Sequence, residues 1–454
     1  MKKIITLKSI ALVMLLATAF VANAQNEPRT FGRFTLTPNK NGVVNCASTE
    51  YNLMRQEKNP KIAKEAQFES WVSKKLNERK FQKSGNTVLT IPVVVHVIYY
   101  GSDNIGSGEN LSMEQIESQI EVLNEDFRKL TGTNGDDQTG YGVDTMIQFC
   151  LAKLDPDNNP TNGVTRDQTT TEKYTSMGDI DILKTFTIWD PEKYLNLWTV
   201  AMGGGINDLL GYAQFPDYDI PGLQEPGQNS DYETDGVVIN YRNFGSKEKI
   251  PSANLAAPYN LGRTATHEIG HYLCLRHIWG DATNCMGTDY CADTPKQNDK
   301  SQGCPEDGTE TCPDDQPDLF QDYMDYTDDG CMSVFTQDQA NRMRVILENA
   351  PRRASLVANA ITACSGLVGT KDMQLLQGMK VYPNPAQNVL NITVDNGDLP
   401  DSYVIYNSIG QLVANAKIST EANLTIDTSA YSNGMYFIKI DKGNESKTIK
   451  FIKN

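Results

Sequence analysis

The sequence predicts an α/β (α+β) domain with a cleft, followed by a small all-β sandwich. Three observations carry that expectation. The apolar, β-branched run from Val88 to Tyr99 has the composition and length of a buried strand. An amphipathic helix follows it, and a second helix starting near Leu261 carries the run His267-Glu268-Ile269-Gly270-His271-Tyr272-Leu273-Cys274-Leu275-Arg276-His277. From Met379 the pattern changes to short alternating strands separated by turn residues.

Along the chain, Lys2 and Lys3, the apolar run Ile10 to Val21 and the small residues Ala22-Asn23-Ala24 read as a signal peptide over 1–24. Its apolar stretch is too short for a good membrane span. Residues 25–86 form a polar leader with a helical pattern from Pro60 to Leu76. The strand from Val88 opens a domain over 87–366, and His96 within it is a core histidine with no metal spacing around it. Ser112 and Gln115 make a capping box that starts a helix, whose stripe Ile116, Ile120, Leu123, Phe127 and Leu130 is core by its spacing. Strand-like runs recur at Tyr194 to Val200 and Gly236 to Tyr241, before the histidine helix. Over 367–454, Val389 to Val394, Tyr403 to Tyr406, Leu424 to Asp427 and Met435 to Ile440 read as strands of a small sandwich without catalytic residues.

The histidine run points to chemistry. Residues four apart on a helix share a face, so His267 and His271 present their rings to one point. His277 reaches the same point only if the chain turns before it. Three protein ligands plus a water is the arrangement of a catalytic zinc, and Glu268 beside the first ligand is placed as general base to that water. The chain has four histidines, and three of them are here.

Composition limits the partners. With 57 acidic against 41 basic side chains the net charge is −16, which argues against nucleic acid or an anionic membrane. Nine cysteines in a chain with a secretory signal read as disulfide material. Cys285, Cys291, Cys304, Cys312 and Cys331 follow the histidine run in a stretch rich in Gly, Pro and Asp. So few apolar residues cannot hold a long loop, which calls for disulfides and bound metal.

The run from His267 through His277-Ile278-Trp279-Gly280-Asp281 resembles the metzincin clan of zinc peptidases, and within it the pappalysin family. The stretch Gln321-Asp322-Tyr323-Met324-Asp325-Tyr326-Thr327-Asp328-Asp329 is similar to that family's Met-turn, as are Phe149 to Lys153 and Asp293-Thr294-Pro295 to other family segments. The resemblance spans roughly Thr87 to Cys364. It implies a metalloendopeptidase acting on proteins or peptides, with Met324 under the zinc and Tyr326 stabilising the oxyanion. It also implies Asp329 in the pocket for the side chain after the scissile bond, favouring Arg or Lys. Family bridges would join Cys285 to Cys312 and Cys304 to Cys331. Asp289, the Ala292 carbonyl and Thr294 match one family calcium site.

Three points remain open at this level. Cys274 stands where the metzincin pattern has Gly, a left-handed position costing a non-Gly residue on the order of 1 kcal/mol. Cys274 and Cys291 are candidates for a bond to each other, and Cys150 and Cys364 for a bond across the ends of the domain. The leader resembles the family's pro-segment, so that Cys46 takes the water position at the zinc until cleavage near Arg79 or Lys83, although Asn45 and Ala47 differ from the family's flanking Arg and Gly. The tail is similar to C-terminal sorting domains of the bacterial type IX secretion machinery, through Val381-Tyr382-Pro383-Asn384-Pro385, Gly410-Gln411 and Gly434 to Ile440. The expected molecule is thus a monomeric, secreted or surface-held zinc peptidase made as a latent precursor. The rival is a secreted binding or adhesion protein on a peptidase scaffold. Retention of Glu268 and all three histidines speaks against it.

Overall fold

The computed structural model describes residues 29–31, 34–80, 87–216, 220, 231–313, 316–365, 379–393, 399–407, 411–442 and 445–454. The expected signal peptide, Lys83 and the start of the tail domain lie outside these. The chain divides into two compact units, Met1–Gly366 and Leu367–Asn454. Among the described residues no helix is long and apolar enough to cross a membrane.

In the first unit, strands β1 (Arg29–Phe31) and β2 (Phe34–Leu36) pair as a short hairpin. Helices α1 (Ser48–Lys58) and α2 (Glu65–Lys80) follow. The helical pattern expected from Pro60 begins at Glu65 instead, and α1 had no sequence signal. Its buried residues include Tyr51, which joins an apolar core and donates to Asp181, and Arg55, which reaches Asp231, while Asn52 and Gln56 bond to Arg55 and the Ala63 carbonyl.

The centre of the unit is a six-stranded sheet built on β3 (Leu89–Tyr100). Its β-branched run lies buried between parallel neighbours. These are β4 (Ile147–Leu151) and β5 (Val164–Thr169) on one side and β6 (Leu195–Val200) on the other. Strand β8 (Val237–Asn240) continues the parallel order beyond β6, and β7 (Gly211–Ala213) closes it antiparallel. Helix α3 (Met113–Phe127) covers one face. Ser112 caps it by accepting the Gln115 N–H at 3.2 Å, but the Gln115 amide reaches the Phe244 carbonyl at 2.8 Å, so the box is one-sided. Ile116, Ile120, Leu123 and Phe127 join the core. Leu130 does not: the helix ends at Phe127 and leaves it 41% exposed.

Helix α4 (Met177–Thr187) covers the other face. Helix α5 (Arg263–Tyr272) is buried at every position, packed between α3 and the β7–β8 edge. Behind it lie α6 (Gln337–Asn349) and α7 (Pro351–Ser365). From α7, Arg353 bridges the buried Asp235 carboxylate (2.6 and 2.9 Å) and the Tyr272 carbonyl (3.2 Å), which fixes the end of α5. Cys150 of β4 is bonded to Cys364 of α7, which decides that pairing.

His96 is fully buried in β3, with Nε2 at 2.8 Å from Asn196 Oδ1 and Nδ1 at 2.9 Å from the Thr165 hydroxyl. Burial pulls it down to about 4. The fold holds it neutral, while the unfolded chain takes a proton below about 6.5. Stability from this site is therefore complete above pH 6.5 and declines as pH falls toward 4. His96→Gln lacks that dependence. Unfolding of the two proteins followed from pH 7 to pH 4 should show wild type losing about 3 kcal/mol of its advantage. A constant gap would refute this.

In the second unit, β9 (Lys380–Tyr382), β10 (Val389–Thr393) and β13 (Thr425–Asp427) form one antiparallel sheet. Strands β11 (Ser402–Asn407), β12 (Leu412–Lys417), β14 (Gly434–Lys442) and β15 (Glu445–Lys453) form another. Both sheets turn alternate residues, among them Leu390, Ile392, Ile405, Ile438, Ile440 and Phe451, into one core.

Candidate metal centre and active site

Gly262 precedes α5 with φ +92°, a conformation that favours glycine, and the Asp329 carboxylate caps the helix entry. Its Oδ2 accepts the N–H groups of Leu261 (2.7 Å) and Arg263 (3.3 Å). One face of α5 then carries His267, Glu268 and His271. The chain leaves the helix at Cys274, which adopts φ +85°, and Leu275 N–H returns to the Gly270 carbonyl at 2.9 Å. Arg342 holds this non-glycine turn by donating to the Cys274 carbonyl (3.2 Å) and Sγ (3.3 Å).

That turn brings His277 to the other two rings. The His271 Nε2 lies 3.1 Å from both His267 Nε2 and His277 Nε2. Each Nδ1 is committed elsewhere: His267 to the Tyr323 carbonyl (2.7 Å), His271 to the Leu275 carbonyl (2.8 Å), His277 to Asp281 Oδ1 (2.6 Å). Burial pulls His267 down to about 3 and His271 well below its usual range, so both rings are neutral. With Nδ1–H donating, the free Nε2 lone pairs converge, as metal-binding imidazoles require. Cys46 Sγ joins them, the four ligand atoms lying within 4.8 Å of one another. A buried donor set of three imidazole nitrogens and one sulfur fits tetrahedral zinc.

Glu268 is fully buried beside them. Its Oε2 accepts from Ser48 Oγ (2.7 Å) and Cys46 Sγ (3.5 Å), while Oε1 has no partner among the described residues. Burial pushes its carboxyl up to about 8, against the lowering by Ser48 and Cys46. Gly211 of β7 makes room for it, since a Cβ there would come within 2.9 Å of Glu268 Cγ. Met324 lies under the site: a Cβ at Gly270 would strike its Sδ. The half-buried Tyr326 ring sits 4.9 Å from His277 and 5.7 Å from His267. Burial, and then Cys46, raise its phenol well above the usual range, so it remains a proton donor.

The leader lies along β7. Val44 N–H donates to the Asp208 carbonyl (3.1 Å), and its own carbonyl accepts Leu210 N–H (2.9 Å). Ala213 N–H donates to Ser48 Oγ (2.8 Å). The bridge between Val44 and Leu209 is parallel. Asn45 lines a small cavity together with Asp329, Tyr259, Thr264, His267 and Tyr326. Asp329 lies buried there, pushed up to about 6 by burial.

Cys285–Cys312 and Cys304–Cys331 are disulfides. Cys274 and Cys291 are not bonded to each other, which corrects that expectation: the Cys274 thiol faces Arg342, and Cys291 Sγ lies 3.8 Å from the Asp289 carbonyl. The Asp289 carboxylate is buried and takes the Thr294 hydroxyl on both oxygens (3.0 and 2.9 Å), while Ala292 N–H donates to Asp338. Among the described residues the histidine–cysteine group is the only cluster of three or more His, Cys, Asp or Glu ligands.

Sequence reasoning missed Ser48, which lacks any motif. It also missed two supports of His277: Asp281 on its Nδ1, and Trp279 stacked on its ring at 4.4 Å. The i, i+4 spacing from His277 to Asp281 was the available signal.

Residues 178–348 match the family model described as pregnancy-associated plasma protein-A, and residues 380–454 match that of a secretion system C-terminal sorting domain. A solved promirolysin mutant from Tannerella forsythia is 36% identical, covering 70% of this chain and 99% of its own, with a TM-score of 0.58. Mature Tannerella forsythia mirolysin in complex with a cleaved peptide is 40% identical over 61% of this chain and 98% of its own, with a TM-score of 0.53. An extracellular metalloprotease of Colletotrichum graminicola is 31% identical over 59% of this chain and 81% of its own length.

Proposed function

The chain belongs to the pregnancy-associated plasma protein-A (pappalysin) family of zinc metalloendopeptidases, and we propose that it is made as a latent precursor that cuts before Arg or Lys once its leader, residues 25–86, is gone. The tail is a secretion system C-terminal sorting domain, which sends the enzyme outside the cell through the type IX machinery. The observation that carries the reading is the convergence of His267, His271, His277 and Cys46 on one point.

In this reading the three histidines hold zinc, and Cys46 fills the remaining position until the leader is cut. A bound zinc supplies Lewis acidity and lowers the pKa of a water. Glu268 takes the proton of the attacking water and delivers it to the departing amine. The Tyr326 hydroxyl donates to the oxyanion. Met324 supports the histidine floor. Asp329, held rigid by two backbone N–H groups, receives a basic side chain after the scissile bond. Asp289, Thr294 and the Ala292 carbonyl bind calcium, and the raised pKa of the buried Asp289 suits a carboxylate awaiting a cation.

Cleavage of a random peptide library by the processed monomer, with and without a zinc chelator, tests this. Chelator-sensitive cuts before Arg or Lys are expected, and Asp329→Ala should lose that preference. Cuts at other residues would remove the role of Asp329. No cleavage by zinc-loaded, leader-free protein would favour the binding-protein reading. A calcium-selective chelator should lower the melting temperature without removing zinc; an unchanged melt would exclude the calcium site.

A further inference from the structure

The leader offers more than a thiol to the cleft. Arg55 of α1 is 3% exposed, and its Nε and Nη2 meet Asp231 Oδ2 at 3.1 and 3.0 Å. Its Nη1 meets the Phe215 carbonyl at 3.4 Å and Asn52 at 3.0 Å. Asp231 is anchored through its own carbonyl, which accepts from Gln214 Nε2 (2.8 Å) and Arg352 (3.4 Å). The backbone that carries the acceptor carboxylate is thus anchored by residues beyond the leader.

Its position along the cleft gives it meaning. Asn45 lines the Asp329 cavity, Cys46 sits at the metal centre, Ser48 at the end of β7 by Ala213, and Arg55 at the stretch beyond it by Phe215. Phe215 also packs on His271, with ring centroids 5.3 Å apart. The leader therefore spans from the Asp329 cavity, past the metal, to Asp231. If the Asp329 cavity takes the residue after the scissile bond, Asp231 lies on the amino side of that bond. From Gly211, beside Glu268, to Phe215 the strand direction advances four residues, which at about 3.3 Å per residue places the subsite roughly three to four residues upstream.

We infer that the Asp231 carboxylate, with the Phe215 carbonyl, forms a subsite for a basic side chain of the substrate upstream of the cut, and that Arg55 occupies it in the precursor. A guanidinium gains there a charge-assisted hydrogen bond in a partly dry site, which an uncharged amide cannot match. This rests on the assignment of the Asp329 cavity under Proposed function.

The test uses the processed enzyme and peptides that differ only in Arg or Gln, stepped through the second to fifth residue before the cut, with cut positions read by mass. Arg at one of these positions should raise kcat/KM about tenfold, mainly through KM. In Asp231→Asn the ratio of Arg to Gln peptide should fall to about one. Asp231→Arg should instead favour a Glu peptide. Equal cleavage of the Arg and Gln peptides by wild type, or an Arg preference that survives in Asp231→Asn, would overturn the inference. The residue after the cut is read in the same spectra, so failure of the Asp329 assignment is visible separately.

Discussion

Glu268→Gln should leave the zinc content of the processed enzyme unchanged and lower kcat/KM by about 10³- to 10⁴-fold. The substitution keeps the shape of a side chain packed against Gly211, and the three histidines keep their Nδ1 partners at Tyr323, Leu275 and Asp281. What is lost is the group that, in the proposed mechanism, accepts the proton of the water and returns it to the amine. An amide does neither. Metal analysis alongside peptide cleavage separates the two effects. Zinc lost together with activity would show a collapsed site, and activity within tenfold of wild type would show that another group is the base.

Cys46→Ala should break latency. In the proposed precursor, Cys46 Sγ is the fourth donor at a point where three imidazoles converge, and thiolate is a strong zinc ligand. Without it the leader keeps hydrogen bonds of Val44, Ala47 and Ser48 to the β7 edge, each worth about 1 kcal/mol net, and the contacts of Tyr51 with Asp181 and of Arg55 with Asp231. A salt link of Glu69 to Arg276 (3.3 Å) and Arg342 (2.7 Å) also persists, away from the metal. The variant precursor should therefore mature by itself at least about tenfold faster, a rate readable from the decay of full-length protein. A Glu268→Gln, Cys46→Ala double variant should stay uncut. If Cys46→Ala matures no faster than wild type, the thiol is not the lock.

The legible parts were those with a period or a motif. The β-branched run gave β3, and the Ile116 to Phe127 stripe gave α3, because burial on one side leaves a repeating mark. The histidine run gave the convergence at the metal point, since helical spacing dictates it for two ligands and the need for a turn dictates it for the third. Strand β5, Val-Thr-Arg-Asp-Gln-Thr, left no mark: its residues are mostly polar and its place is set by pairing with β3. Helix α1 was silent for a similar reason. Its burial comes through Tyr51 and Arg55, whose partners Asp181 for the first and Phe215 and Asp231 for the second are more than a hundred residues away. Leu130 fitted the helical period but lies past the point where Arg128 and Lys129 end the helix. The unpaired state of Cys274 depends on Arg342, which no local pattern connects to it.

The bond between Cys150 and Cys364 encloses a stretch of chain 214 residues long, and within that ring lie the histidine helix, the Met-turn and both other disulfides. A protease secreted among copies of itself is exposed to nicking. Loss of either flank, before Cys150 or after Cys364, leaves the ring closed. A single internal cut opens it into one piece still joined end to end, so no fragment bearing part of the metal centre can diffuse away. A first cut between Cys150 and Cys364 thus leaves the pieces that carry the metal centre covalently joined.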